Sequence, residues 1–203
     1  MTKAMADRPL RSDAVRSRKL LRKAAAEAFA EEGTNVSIAH IAERAGIAKG
    51  TVFRHYATKE DLVAAIVCQS IDALVETGER LEGITDAGKA LRDFMTEVIE
   101  VQARDRAFCE VATGIAHDQP AIRAGTERLH AIADALTDRA RRQGAIRADI
   151  TGQDVMLLVS GIYQTAAPLR SSHPQLWRRY LSLTFDGMQA TDAAELPSSD
   201  ADH

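Results

Sequence analysis

The chain has 203 residues, 45% of them hydrophobic and 27% charged, with a formal net charge of −3 at pH 7, enough for a packed core and intermediate between one large domain and two small ones. No apolar run approaches the roughly 20 residues that a membrane-spanning helix needs, and the N-terminus lacks the apolar stretch of a secretory signal, so a soluble, cytoplasmic protein with no membrane partner is expected. Cys68 and Cys109 stand far apart with no CxxC or Cys/His spacing, which excludes a disulfide framework or a recognisable zinc site and reads as two buried free thiols.

Residues 1–12 are polar and basic, with Lys3, Arg8, Pro9 and Arg11 and no apolar period, and read as a flexible arm. From 13 to 32 the pattern is helical, with Leu21, Ala25, Ala28 and Phe29 on one face; Gly33 ends it. Ser37 stands at an N-cap before Ile38, Ile41, Ala42 and Ala45, although His40 occupies the place where Glu or Gln would complete a capping box. Gly46 closes that short helix, and a second runs over 49–56. Two short helices joined by a tight glycine turn, spanning about 37–56, make a helix-turn-helix pattern. Thr58 and Asp61 then cap a long helix over 59–82.

Further helices are expected over 87–104, 107–116, 120–143, 153–170 and 174–189, with Pro168 kinking or ending the fourth of them. Residues 191–203 are small, polar and acidic, and read as a disordered tail. No strand-like alternation occurs, so the fold class is all-α. The expected organisation is a three-helix N-terminal bundle with its helix-turn-helix in 13–66, followed by a larger helical body over 67–190.

Charge divides along the same line. Residues 1–67 carry 12 Lys and Arg against 8 Asp and Glu, whereas 68–203 carry 14 against 21. A basic head on an acidic body suits a molecule with one end facing a polyanion, because neutralising phosphates is the main sequence-independent source of DNA affinity.

In a helix-turn-helix the second helix enters the major groove and its first residues reach base edges. Lys49 can reach guanine acceptors or phosphate, Gly50 permits close backbone approach, and Thr51 can donate to a base or touch a thymine methyl. Arg54, one turn on, is the candidate for a bidentate base contact. His55 and Lys59 read as phosphate contacts, the latter at the start of a helix whose N–H groups also favour an anion. Ser37 and His40, at the start of the preceding helix, are candidates for a neighbouring strand, while Ile38, Ile41, Ala42, Ile47 and Val52 read as core.

The order Ile41-Ala42-Glu43-Arg44-Ala45-Gly46-Ile47, then Lys49-Gly50-Thr51-Val52-Phe53-Arg54-His55-Tyr56, then Thr58-Lys59-Glu60-Asp61-Leu62 closely resembles the DNA-binding head of TetR/AcrR-type transcriptional regulators, over roughly residues 13–66. Three positions depart from the usual string: Ala48 where Ser often caps, Phe53 where Tyr is common, and Tyr56 where Phe is common. Phe53 therefore keeps only a packing role at the DNA interface.

The resemblance implies a sequence-specific regulator, most simply a repressor, that binds a palindromic operator in double-stranded DNA as a homodimer and is released by a small effector. It also implies a C-terminal ligand-binding domain and a dimer built by the last two long helices. On those helices Val155, Met156, Leu158, Val159, Ile162, Tyr163 and Ala166, and Trp177, Tyr180, Leu181, Leu183, Thr184, Phe185 and Met188, form apolar surfaces broad enough to serve as a subunit interface, or else as intramolecular core. Residues facing the interior of the middle helices, namely Phe94, Met95, Val98, Gln102, Phe108, Leu129, Ile132 and Leu136, are the candidate lining of a pocket for a hydrophobic or amphipathic effector; a filled core, and a regulator without a ligand, is the alternative.

Enzymatic chemistry finds no purchase. His117 and His130 have no H-x3-H partner, Asp118 does not share a helix face with His117, and neither a phosphate-binding glycine loop nor a nucleophile elbow occurs. No catalytic residue, metal or cofactor is expected.

Overall fold

The computed structural model describes residues 7–112, 119–189, 194, 196 and 197, and every regular element among them is helical. In chain order these are α1 (Asp7–Glu32), α2 (Ile38–Ala45), α3 (Lys49–His55), α4 (Lys59–Glu82), α5 (Ala87–Arg104), α6 (Arg106–Ala112), α7 (Pro120–Arg142), α8 (Gly152–Ala166), a single 3-10 turn (Ala167–Leu169) and α9 (Leu176–Met188).

The chain divides into two compact units, the boundary passing through α4 after Ser70 and through α7 after Ala124. The first unit holds residues up to Ser70 together with 104–124. It therefore takes in α6, which the sequence places with the body. The reason is local: α6 packs on α1, and Ala107 and Phe108 are buried. Around them lie Leu21, Ala25 and Phe29 of α1, Ile41 of α2, Val52 of α3 and Leu62 and Val67 of α4, all essentially without exposure. Each such Leu, Ile or Phe contributes about 1.5–3 kcal/mol by leaving water, which offsets the cost of ordering helices too short to persist alone.

The second unit, Ile71–Ala103 and Gly125–His203, has its own core. Phe94, Met95, Val98 and Ile99 of α5, Ile132, Ala133 and Leu136 of α7, Val155 and Val159 of α8, and Trp177, Leu181 and Phe185 of α9 are buried in it. Thr151 and Asp154 form a reciprocal capping box at the start of α8, so one orphan helix donor and the cap's own N–H are both satisfied.

Three expectations need correction. Residues 7–12 are not an arm but the first turns of α1; Pro9 falls in the first turn, where its missing N–H breaks no helical bond. Residues 194 and 196 of the expected tail are held in place. Arg147 donates to both Asp149 carboxylate oxygens at 2.6 and 2.7 Å and to the Ala194 carbonyl at 2.5 Å, while the Leu196 N–H donates to Asp149 at 3.1 Å. The Arg147 guanidinium, helped by the Leu196 N–H, holds the Asp149 pKa at about 2. Finally, both cysteines are half-buried rather than buried. Pro168 ends α8 as expected, since the α-helix stops at Ala166 and the proline lies in the 3-10 turn. The expected helical residues 113–116, together with His117 and Asp118, lie outside the described residues.

Candidate nucleic-acid interface

The turn between α2 and α3 is built by its backbone. Gly46 adopts φ 66°, ψ 32° and its N–H bonds back to Ala42 and Glu43, while the Ile47 N–H reaches the Ala42 carbonyl at 3.0 Å; a left-handed residue here favours glycine. The Ser37 hydroxyl caps α2 by accepting from the His40 N–H at 3.1 Å. Arg44 grips Glu31 of α1 with two bonds at 2.8 and 2.9 Å and lies 3.5 Å from Glu27. Its guanidinium lowers the Glu31 pKa, so α2 is fastened to α1 by a two-pronged pair rather than a single point contact.

α3 starts at Ala48 with no side-chain cap, the consequence of having no serine there. It is held instead from below: Val52 and Tyr56 are buried, and the Arg18 guanidinium lies 6.0 Å from the Tyr56 ring centroid. The Tyr56 hydroxyl is buried with no hydrogen-bond partner. With Val52 and Tyr56 fixed inward, the 100° step of a helix turns Gly50 and Arg54 outward. Both are exposed, as is Lys49, while Thr51 and His55 at the flank are half-buried.

Phe53 is 46% exposed. The folded unit leaves nearly half of the ring in water, which is what a packing role against DNA requires of it. Lys59 is half-buried at the start of α4, where Thr58 and Asp61 cap each other reciprocally at 3.0 Å. Ser37 and His40 are exposed, but His40 Nε2 lies 3.1 Å from a Glu32 oxygen, so that ring is already engaged with a carboxylate of its own chain.

The nine candidates for DNA contact thus lie in one unit, with six of them at or beside α3. Sequence reasoning missed the cations of α1. Arg18, Lys19 and Lys23 are exposed and Arg22 donates to Gln69 at 3.1 Å; with Val15 they border an open groove along the helix. The signal was present as five cations between residues 16 and 23, but helical periodicity alone did not say which way they faced.

Of the candidate pocket residues, Phe94, Met95, Val98, Gln102, Leu129, Ile132 and Leu136 belong to the second unit and Phe108 to the first; all eight are buried. Phe94 and Ile132 converge opposite Gly78, where a β-carbon would come within 2.1 Å of Ile132 Cγ2 and 3.5 Å of Phe94 Cε2. Two side-chain oxygens in this core, Gln102 Oε1 and Thr137 Oγ1, have no hydrogen-bond partner. A small hollow of about 20 Å³, room for roughly one water, is lined by residues that include Tyr163, Arg170, His173 and Trp177.

The expected interface stripe is largely the unit's own interior. Val155, Val159, Ile162, Tyr163, Trp177, Leu181, Phe185 and Met188 are buried, and Met156 and Thr184 are half-buried. The apolar side turned to solvent keeps Tyr180 and Leu183 of the expected surface and adds Leu157. Leu157 is 64% exposed, Leu183 56% and Tyr180 39%, and a shallow groove of about 320 Å³ is lined by Leu157, Tyr180, Leu158, Gly161, Ile162, Thr165 and Thr184. No group of three or more His, Cys, Asp or Glu placed to hold a metal occurs among the described residues, and none of their helices is long and apolar enough to cross a membrane.

Two family models match this chain. The model described as bacterial regulatory proteins of the tetR family matches residues 21–66, and that described as the C-terminal domain of SbtR-like transcriptional regulators matches 86–190, more than half of the sequence. The chain belongs to the TetR family of transcriptional regulators. As a TetR-family protein it is a DNA-binding regulator with a helix-turn-helix head and a larger helical C-terminal domain, and it is not an enzyme.

Among curated relatives, an HTH-type transcriptional regulator of Staphylococcus aureus, SAB2452, is 33% identical over 67 residues, which is 32% of this chain and 36% of that protein; the match spans about a third of such relatives. Solved structures agree over nearly the whole chain. The TetR regulator SCO0520 of Streptomyces coelicolor is 26% identical with a TM-score of 0.66, covering 86% of this chain and 99% of that one. A TetR regulatory protein of Mycobacterium vanbaalenii is 28% identical with a TM-score of 0.62, covering 90% and 100%. FadR of Bacillus subtilis, solved in complex with stearoyl-CoA, shares the fold at 19% identity, a TM-score of 0.67 and coverage of 84% and 98%.

Proposed function

We propose that this TetR-family protein is a cytoplasmic repressor that reads a palindromic operator with α3 and leaves it when a small apolar or amphipathic effector binds in the second unit. The observation that carries the first half is the orientation of α3. Val52 and Tyr56 anchor it, so that Lys49, Gly50, Phe53 and Arg54 stand exposed on one short rod. Arg54 then reads a guanine edge, Lys49 and Thr51 flank it, His55, Lys59, Ser37 and the α1 cations contact phosphates, and His40 joins them by exchanging Glu32 for a phosphate.

The exposed side of α8 and α9, centred on Leu157, Tyr180 and Leu183, is the surface offered to a second copy. A two-fold axis through it makes an isologous four-helix contact and places two readers about 34 Å apart on the duplex. Selection of bound sites from a random DNA pool tests both at once. The expected product is an inverted repeat, with an affinity that falls by about 0.9 log units per log unit of salt for each phosphate neutralised. A recovered set with no symmetry, or a salt-independent affinity, would overturn the reading.

Phe53 gives the selected site a further mark. A ring left in water on the reading helix buries itself on DNA against a thymine methyl, a contact worth about fourfold in affinity for one methyl group. Replacing the contacted thymine by uracil should weaken wild-type binding by about that factor and leave Phe53→Ala unaffected. Equal sensitivity in both proteins would remove the assignment.

The effector half draws on Gln102 Oε1 and Thr137 Oγ1. Buried oxygens without partners are costly, and a bound molecule offering donors among Phe94, Met95, Val98, Leu129, Ile132 and Leu136 would satisfy them. Acyl-CoA thioesters and γ-butyrolactones, the classes named for structural neighbours, are the first probes: a true effector raises Tm with concentration and releases DNA. The burial of all eight candidate residues supports the competing reading of a regulator without a ligand, and a core that no probe stabilises would favour it.

A further inference from the structure

We propose that Glu110 of α6 is a positioning residue of the DNA reader, acting by clamping the turn through which α1 enters α2. Its carboxylate stands 76 residues from its partner in sequence. Both the N–H and the hydroxyl of Thr34 donate to Oε2 at 2.7 Å, and Arg106 Nε donates to Oε1 at 3.1 Å. Gly33, immediately before Thr34, has φ 80°, and a β-carbon built on it would lie 2.3 Å from the same Oε1. The left-handed glycine thus serves two ends: it turns the chain, and its bare Cα lets the carboxylate come close enough to reach Thr34.

The clamp matters because Thr34 leads directly into the reading pair. Ser37, the cap of α2, is three residues beyond Thr34, and α2 carries the turn that presents α3. With Thr34 fixed, the reading pair enters at a set angle to α1. Burial pushes the Glu110 carboxyl up, but the two Thr34 donors and the Arg106 guanidinium together outweigh it, so its pKa lies below the ordinary value. A group depressed in this way holds its partners above the ordinary carboxylate pKa and lets go only as the pH falls through the lowered value. The clamp is therefore closed throughout the neutral and mildly acidic range.

A glutamine in its place is nearly isosteric yet chemically wrong. Thr34 and Arg106 alone bring three donors to the two oxygens, and an amide keeps one acceptor while bringing N–H groups of its own. Base readout demands a fixed geometry, whereas non-specific attraction to phosphate does not. Loss of the clamp should therefore fall on discrimination rather than on affinity as such.

The inference rests on α3 being the reader, and the test separates the two. Full-length wild type, Glu110→Gln, Thr34→Val and Thr34→Ser are titrated against the selected operator and against a scrambled duplex of the same composition. Glu110→Gln is expected to bind the operator on the order of tenfold more weakly with scrambled binding unchanged or slightly tighter, since a negative charge is gone. Thr34→Val should lose part of the same preference, Thr34→Ser should retain it, and the double variant Glu110→Gln, Thr34→Val should be no worse than Glu110→Gln alone.

The ratio of wild-type to Glu110→Gln operator affinity should be flat from about pH 5.5 to 8. Unchanged preference in Glu110→Gln, or equal losses on both duplexes, overturns the proposal, as does a ratio that changes across that range. Should Glu110→Gln fail to fold, the contrast between Thr34→Val and Thr34→Ser decides alone. A wild type that fails to prefer the operator would instead refute the role given to α3.

Discussion

Glutamate at both Leu157 and Leu183 should give a folded monomer whose operator affinity falls by at least about 100-fold. The two leucines are 64% and 56% exposed, so charging them removes nothing from the core of their own unit. Between two copies, however, each carboxylate would be stripped of water without a partner, a cost of several kcal/mol per ion. A lone protomer reads one half-site and loses the gain that linkage gives the second contact, typically 10²- to 10⁴-fold. Sedimentation gives the mass, circular dichroism the helix content, and titration of the inverted repeat the affinity. An unchanged dimer would place the interface elsewhere on the molecule; a collapsed helix signal would mean that these side chains support the fold after all. Trp177→Glu is the informative contrast, because Trp177 is buried against the second unit's core and its replacement should unfold the protein rather than separate subunits.

Arg54→Ala should cost on the order of 10- to 100-fold on the selected operator, the value of one good bidentate contact, with little change on scrambled DNA. Lys59→Ala should weaken both duplexes alike and reduce the magnitude of the salt slope by about 0.9. Arg54 is exposed on the outward line of α3, one turn beyond Gly50, whereas Lys59 sits half-buried where α4 begins. A uniform loss for Arg54→Ala would make it a phosphate contact, and some neighbour, with Lys49 foremost, would have to be the reader of guanine.

How far the sequence revealed this molecule can be judged element by element. α4 and α5 begin and end where periodicity and capping place them, because Thr58 and Asp61 cap one and the 3.6-residue period of Leu91, Phe94, Met95 and Val98 marks the other. The α2–α3 turn was equally readable, since Ser37 and Gly46 do the jobs that serine and glycine do best. The outward side of α8 was not. Val155, Leu157, Leu158, Val159 and Ile162 clothe that helix on several sides, and a period tells which residues share a face but not which face meets the core. The stripe with the bulkiest residues went inside, leaving Leu157 and Gly161 outward. Glu110 was invisible for another reason: its partner is distant in sequence, and no local pattern announces a carboxylate that will find a backbone N–H across two helices.

The stitch beyond α9 constrains the chain in an unusual currency. Arg147 and Asp149 hold residues 194 and 196 through a carbonyl and an N–H, atoms that almost every amino acid possesses. Side chains there are free to drift, except that proline at 196 would delete the donor. One spacing is not free: the held carbonyl and the held N–H stand two residues apart, so an insertion or deletion between them would break one of the two bonds.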